Sequence, residues 1–154
     1  MSEIKIVDGT NHLGEVKRLV IEYTNFLGRD LSFQHFDDEL KDLSAKYTPP
    51  EGRLLCAAVD GEIIGCVAYH KHTAERCEMK RLFVRDGYRE HHAGSKLIEA
   101  IIESARADGF GEMVLDTIKP LESAIRLYKK FGFVETEPYY HNPMSDVIYF
   151  KKEL

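Results

Sequence analysis

The stretch from Glu78 to Ala107 constrains the fold more than any other part of this 154-residue chain. It predicts a strand over Cys77–Val84 whose side chains alternate between two faces, then a polar loop, then a long helix. The loop Arg89–Ser95 brings backbone N–H groups to the start of that helix, where the helix dipole favours an anion. The helix repeats apolar residues at three- and four-residue spacing, namely Leu97, Ile98, Ile101, Ile102 and Ala105. We therefore expect a phosphate-bearing ligand at this loop.

The residues before this stretch predict a strand, two helices and a hairpin. Glu3–Val7 is the first strand, and Thr10 or Asn11 is expected to cap a helix that ends at Gly28. A second helix is predicted from Phe33 to Tyr47, stopped by two prolines. Asp60-Gly61 predicts a tight hairpin between the next two strands, Arg53–Val59 and Ile63–Tyr69. With the strand at Cys77, these two strands form an antiparallel meander.

The residues after this stretch complete a mixed sheet. Glu112–Thr117 is expected to run parallel to the strand before the long helix, as a right-handed crossover requires. Pro120 is expected to start a helix that Gly132 ends, and two final strands follow, Phe133–Thr136 and Asp146–Lys152. The sequence thus predicts one α+β domain over residues 1–154.

Composition narrows the class of protein. With 44% hydrophobic and 31% charged residues the chain is typical of soluble globular proteins, and its short apolar runs and N-terminus predict neither a membrane span nor a secretory signal. A formal charge of −5 argues against a nucleic-acid surface. The three cysteines lack metal-ligand spacing and predict reduced thiols in the cytoplasm, and His70-Lys71-His72 is expected in a surface turn. We therefore expect no metal.

Four segments, EMKRLFV, GYREHHAGSKLIEAII, MVLDT and AIRLYKKFGF, occur in an order that resembles the GNAT superfamily of N-acetyltransferases. The resemblance covers nearly the whole chain and is strongest from Glu78 to Gly132. It implies a GNAT-like acyl-CoA N-acyltransferase fold: a twisted mixed sheet of about seven strands with about four helices, open between its fourth and fifth strands to admit acetyl-CoA. Acetyl-CoA and an amine acceptor are the implied partners, and a homodimer is left open.

The resemblance also implies the residues that contact acetyl-CoA. Leu82–Val84 would offer backbone groups to the pantetheine arm, and the loop would bind the pyrophosphate. The family pattern Arg/Gln-x-x-Gly-x-Gly/Ala is altered here, because His92 replaces its first glycine and Glu90 stands where another glycine often follows the arginine. Either the loop amides still point inward, or CoA binds poorly. The implied set is Leu82, Phe83, Val84, Arg89, Glu90, His91, His92, Ala93, Gly94 and Ser95.

Two residues are implied for the chemistry. Glu78, four residues before Leu82 and expected on the same strand face, aligns with a glutamate that is the general base in some family members. Its alternative role is a pairing with Arg76 or Lys80, or simple attraction of a cationic acceptor. Tyr128 matches the family tyrosine that donates a proton to the CoA sulfur, and its alternative role is that of an aromatic core residue.

The acceptor is expected to meet the first two helices and the segment Pro138–Pro143, whose Tyr139, Tyr140 and Asn142 are predicted to shape its pocket. The alternative interpretation of this segment, equally compatible with the sequence, is a stable aromatic turn between the last two strands. The leading hypothesis is an acetyl-CoA-dependent N-acetyltransferase acting on a primary amine by direct attack in a ternary complex. The alternatives are a CoA-binding or regulatory module with weak or no turnover, and a phosphate-ligand domain unrelated to acyl transfer.

Overall fold

The computed structural model describes residues 3–28, 47, 51–85, 87–88 and 92–154. Three α-helices lie in this part of the chain, α1 (Leu13–Leu27), α2 (Ala93–Ala107) and α3 (Glu122–Lys130). The helix predicted from Phe33 to Tyr47 lies outside the described residues except for Tyr47, which is buried. The strands are β1 (Ile4–Asp8), β2 (Gly52–Val59), β3 (Glu62–Lys71), β4 (Arg76–Val84), β5 (Glu112–Ile118), β6 (Val134–Thr136) and β7 (Val147–Glu153).

One mixed sheet contains all seven strands in the order β1-β2-β3-β4-β5-β7-β6. The meander β2-β3-β4 is antiparallel, β5 runs parallel to β4, and β7 returns antiparallel between β5 and β6. The hairpin prediction is confirmed, because Asp60 and Gly61 both have positive φ, 50° and 81°, as its turn type requires. The predicted mixed α+β sheet is likewise confirmed.

The helices cover opposite faces of the sheet. Val16, Leu19 and Val20 of α1 pack on one face against sheet residues such as Leu54 and Cys66. The buried residues of α2 pack on the other face, together with Tyr128 of α3 and with Val67, Tyr69, Cys77 and Met79 of the sheet. Alternation of side chains along each strand supplies both cores. Among the described helices, none combines the length and apolar character that crossing a membrane requires.

The cap predicted for the first helix was wrong. The Asp8 side chain instead accepts from the Thr10 backbone N–H at 2.9 Å and caps a short 3-10 turn over Gly9–Asn11, and α1 begins after His12. The predicted ends of the helices agree better, since Gly28 and Gly132 adopt left-handed conformations with φ of 62° and 94°. Thr10 and Asn11 lie inside the 3-10 turn that Asp8 caps, so neither of them is the residue that precedes α1.

A bulge interrupts the regular alternation of β4. Cys66 of β3 faces Phe83 and Ala68 faces Lys80, so two residues of β4, Arg81 and Leu82, oppose one residue of β3. Arg81 is a buried residue with φ of 61°. The Cys66 thiol donates to the Arg81 carbonyl oxygen across 3.2 Å, which satisfies this backbone acceptor. The bulge therefore reorients the second half of β4.

Candidate active site

A gap opens between β4 and β5 where their pairing stops. The two strands pair only from Arg76–Glu112 to Glu78–Val114, although both continue beyond these residues. Past that point a cavity separates them, with Met79–Leu82 on one side and Leu115–Ile118 on the other. The gap agrees with the opening that the sequence resemblance implied. The edge of β4 is not paired with β5 over Leu82 and Phe83, so the backbone groups of these residues suit an extended amide arm.

Tyr128 of α3 lines this gap. It is 7% exposed, and its ring packs edge-on against Phe133, with centroids 6.0 Å apart, and at a tilt against Phe150. Burial raises the pKa of the Tyr128 phenol, and the negative charge of Asp116 adds to this effect. The phenol therefore stays protonated at neutral pH and is able to donate a proton. Both sequence interpretations of Tyr128, core aromatic and proton donor, are compatible with this position.

Glu78 is a buried carboxylate at the closed end of the gap. Its Oε1 lies 2.7 Å from His70 Nε2 and 3.9 Å from Lys80 Nζ, and its Oε2 accepts from the Tyr139 hydroxyl at 2.6 Å. Burial by itself would raise the pKa of Glu78, but the His70 hydrogen bond, the Lys80 charge and the Tyr139 hydroxyl together lower it to about 2. Glu78 is therefore a firmly ionised group whose two oxygens both have partners.

The predicted placement of Glu78 relative to Leu82 was wrong. Leu82 packs with the core that contains Cys77 and Met79, whereas Glu78 lies between those two residues and points to the opposite face. The extra residue of the Arg81–Leu82 bulge shifts the alternation by one position, so a spacing of four residues no longer keeps the same face. Glu78 thus lies on the α1 side of the sheet, and Leu82 on the α2 side.

The segment before β7 brings its predicted acceptor residues to the α1 side of the gap. Tyr139 donates to Glu78, while the Tyr140 hydroxyl and Asn142 Nδ2 both donate to Asp116 Oδ2, the amide at 3.1 Å. The rings of Tyr139, Tyr140 and Tyr149 contact one another with centroids 5.3–5.9 Å apart. The expected aromatic turn therefore exists, and its side chains contact the carboxylates of Glu78 and Asp116.

The loop before α2 is described only from His92 onward, so the predictions for Arg89, Glu90 and His91 lie outside the described residues. His92 is exposed and adopts the left-handed conformation, with φ of 60° and ψ of 28°. This conformation is the one for which glycine is ordinarily used, so His92 occupies the glycine position without changing the backbone. The N–H groups of Ala93, Gly94 and Ser95 begin α2 and have no partner within the helix. They are suited to an anion.

Two functional candidates were missed from the sequence. Asp116 follows a buried run of β5 and carries no motif of its own, and only the return of Tyr140 and Asn142 marks it. His70 was expected in a surface turn, but it belongs to β3 and contacts Glu78, which its place opposite Glu78 in the register explains. Within the described ranges, no group of three or more histidine, cysteine, aspartate or glutamate side chains is arranged to hold a metal ion.

Comparisons with known proteins agree with this geometry. The model of the acetyltransferase (GNAT) family matches residues 18–133. An uncharacterized N-acetyltransferase of Schizosaccharomyces pombe is 46% identical, over 92% of this chain and 88% of its own length.

Solved structures share the fold. A GNAT-family acetyltransferase of Staphylococcus aureus superposes with a TM-score of 0.82 at 21% identity, over 98% of this chain and 99% of its own. A second family member, from Elizabethkingia anophelis with acetyl-CoA bound, gives a TM-score of 0.61 at 26% identity, over 75% of this chain and 82% of its own. The first comparison concerns the fold alone.

Proposed function

The chain belongs to the GNAT acetyltransferase family and is an N-acetyltransferase, and from this premise we propose that it moves an acetyl group from acetyl-CoA to a primary amine. The observation that carries the proposal is the gap between β4 and β5, with Tyr128 beside it and the first turn of α2 nearby. The same family membership excludes a phosphate-ligand domain unrelated to acyl transfer.

Several features fit acetyl-CoA to this gap. The edge of β4 that is not paired with β5 at Leu82 and Phe83 would hold the pantetheine amides in the manner of an added strand. The first amides of α2 would hold a phosphate, because the helix start supplies both donors and a partial positive charge. When bound, acetyl-CoA supplies the activated thioester. His92 leaves the backbone in its glycine-like conformation and its side chain exposed, which favours retained binding over an obstructed loop.

Tyr128 is proposed to supply the proton that the leaving thiolate needs. In direct attack the amine nitrogen forms a bond to the acetyl carbon, the carbon–sulfur bond breaks, and its electron pair stays on sulfur. The buried phenol, held protonated in the gap, would then give its proton to sulfur and regain one from water. The aromatic packing of Tyr128 fixes the direction of its hydroxyl, which efficient proton transfer requires.

A carboxylate has to assist the loss of protons from the acceptor ammonium, and Glu78 is the residue that the sequence predicts for this step. Its base role stays a prediction. With a pKa of about 2 and both oxygens engaged, Glu78 is better suited to hold the site negative and to position Tyr139 than to take a proton directly. Its negative charge would still attract a cationic acceptor.

An acceptor panel tests the proposed function. Purified protein is mixed with acetyl-CoA and with a set of small primary amines, amino acids, aminoglycosides and peptides with free amines, and release of the CoA thiol is followed. We expect thiol release above the background hydrolysis rate with at least one amine, together with an acetylated product of the correct mass. Binding of acetyl-CoA without turnover on any amine would instead support a CoA-binding or regulatory module.

A further inference from the structure

A second carboxylate, Asp116, lies in the gap itself. It belongs to β5, two residues beyond Val114, the last residue that pairs with β4. Among the described residues that line the cavity, Asp116 is present and Glu78 is not. Glu78 lies at the closed end where the strands still pair, whereas Asp116 lies where they have separated. Access to the reacting atoms therefore favours Asp116.

The contacts of Asp116 leave one oxygen for a ligand. Oδ2 accepts from both the Tyr140 hydroxyl and Asn142 Nδ2. Among the described residues, no hydrogen bond reaches Oδ1. The Asn142 amide also donates to the Tyr140 oxygen at 2.9 Å, and Asn142 Oδ1 accepts from the Met144 backbone N–H at 2.9 Å. The carboxylate is thus fixed in orientation by one oxygen while the other remains available to an acceptor.

Asp116 and Tyr128 approach the gap from opposite faces of the sheet. Met113 and Leu115 of β5 belong to the core on the α2 side, as does Tyr128, so Asp116 points to the α1 side by strand alternation. Both side chains nevertheless line the same cavity, and the charge of Asp116 raises the pKa of Tyr128. An acyl group between them would have a proton donor on one side and a carboxylate on the other.

From this geometry we infer that Asp116 binds the ammonium of the acceptor amine in the gap and takes up the proton that the nitrogen loses. The inference rests on the proposed function and identifies the residue that binds the second substrate of that reaction, the acceptor amine. One nitrogen–hydrogen bond of the ammonium breaks, its electron pair stays on nitrogen and attacks the acetyl carbon, and the proton passes to Oδ1 of Asp116 and then to water. The second proton that the nitrogen loses as the amide forms passes to water, which returns one proton to Tyr128. The Tyr140 hydroxyl donates to Asp116, and Tyr149 lies opposite Asp116 in the strand register, so the carboxylate is held beside aromatic residues. The acceptor class is therefore a primary ammonium.

The pH dependence of this step involves every polar group around Asp116. Those that face it or share its cavity are Tyr23 of α1, Glu78, Lys80 and Arg81 of β4, Tyr128 of α3, Tyr139, Tyr140 and Asn142 of the segment before β7, and Tyr149 of β7. Burial raises the pKa of Tyr23 to about 12 and that of Tyr140 as well, so these phenols stay neutral below pH 9. Among the described residues that line the gap, Asp116 is then the half-buried carboxylate that an acceptor can contact.

The test compares Asp116→Asn, Glu78→Gln and the wild type, with the best amine of the acceptor panel. In D116N the amide oxygen still accepts from Tyr140, so we expect the protein to remain folded. Its affinity for acetyl-CoA should change by less than about twofold. We expect kcat/KM for the amine to fall about 100-fold, and the rise in rate at acidic pH to disappear. Glu62→Gln, at an exposed glutamate away from the gap, is the matched control and should change neither value.

The outcomes separate this inference from the proposed function. Wild-type turnover with an unchanged D116N rate and pH profile would overturn the inference alone, as would loss of the acidic limb in E78Q but not in D116N. Absence of acetyl-CoA-dependent turnover in the wild type would overturn both. If D116N melts below the assay temperature, Asp116→Glu replaces it: a lowered rate with a retained acidic limb is expected, and an unchanged rate overturns the inference.

Discussion

Replacing Glu78 by glutamine keeps the length of the side chain but removes a buried charge that three groups stabilise. In the wild type these groups are His70 at 2.7 Å, Tyr139 at 2.6 Å and Lys80 at 3.9 Å. A glutamine oxygen still accepts from one of them, but its amide nitrogen then faces a second donor. The substitution therefore weakens the anchor of Tyr139 and removes the negative charge that lies 3.9 Å from the Lys80 ammonium.

The lowered pKa of Glu78 sets the size of the stability loss expected in E78Q. A folded-state pKa of about 2 against the ordinary 4.5 is worth roughly 3 kcal/mol at about 1.4 kcal/mol for each pH unit. Because glutamine retains one acceptor, we expect E78Q to lose about 2 to 3 kcal/mol of unfolding free energy at pH 7. For a chain of this length the loss corresponds to a melting temperature lower by roughly 4 to 12 °C.

The same pKa fixes the direction of the pH dependence. The folded-state pKa lies below the unfolded value, so the stabilisation is complete above pH 4.5 and is lost as the pH falls from 4.5 towards 2. About 1 kcal/mol of it is gone by pH 4. The difference in stability between wild type and E78Q should therefore shrink by that amount between pH 7 and pH 4.

Urea unfolding of both proteins at pH 7 and pH 4, followed by circular dichroism, measures these differences. Glu62→Gln is the control, since the Glu62 side chain is 60% exposed, lies 3.7 Å from Arg85 and accepts from the Tyr88 hydroxyl at 3.3 Å. Its cost should stay within about 0.5 kcal/mol. A loss below about 0.5 kcal/mol in E78Q at pH 7, or a loss that is equal at both pH values, would refute the reasoning about this network.

Two further substitutions test other parts of the site. Tyr128→Phe keeps the packing on Phe133 and Phe150, so acetyl-CoA affinity should stay within about twofold while turnover falls about 100-fold. Calorimetry measures the affinity and steady-state kinetics the turnover. Unchanged turnover would contradict the proton-donor role of Tyr128. His92→Gly relieves a left-handed non-glycine residue and should stabilise the protein by about 1 kcal/mol in urea unfolding, whereas His12→Gly, at φ of −135°, should not. Equal effects of the two glycines would contradict the backbone argument, and weaker acetyl-CoA binding by His92→Gly would mean that the imidazole contributes to it.

Most of the fold follows from local patterns in the sequence. Asp60-Gly61, Gly28 and Gly132 mark turns and ends because few residues tolerate positive φ, and the periodicity of Leu97 to Ala105 fixes the buried face of α2. The bulge at Arg81 has no such signal, since neither glycine nor proline accompanies it. Its backbone is held by tertiary contacts such as the Cys66 thiol. Sequence periodicity therefore wrongly predicted that Glu78 and Leu82 share one face of the strand.

The candidate site was predicted only in part, because some of its contacts are tertiary and leave no local signal in the sequence. Glu78, Tyr128 and the tyrosines near Pro138 were predicted from the sequence; the structure places Tyr128 in the gap and joins Tyr139 to Glu78 at its closed end. The role of Asp116 depends on contacts with Tyr140, 24 residues away in the chain, and with Asn142. Only the antiparallel return of β7 brings these residues together, and the sequence pattern does not encode that proximity.

Thermal unfolding with acetyl-CoA, CoA or ATP tests the central claim most directly. All three share an adenine nucleotide, but only the first two carry the pantetheine arm that β4 is proposed to hold at Leu82 and Phe83, where it is not paired with β5. At about 100 times the dissociation constant, a bound ligand adds about 2.7 kcal/mol, so acetyl-CoA and CoA should each raise the melting temperature by roughly 5 to 10 °C, and ATP should not. No stabilisation by either CoA species at saturating concentration, or an equal shift with ATP, would contradict the account.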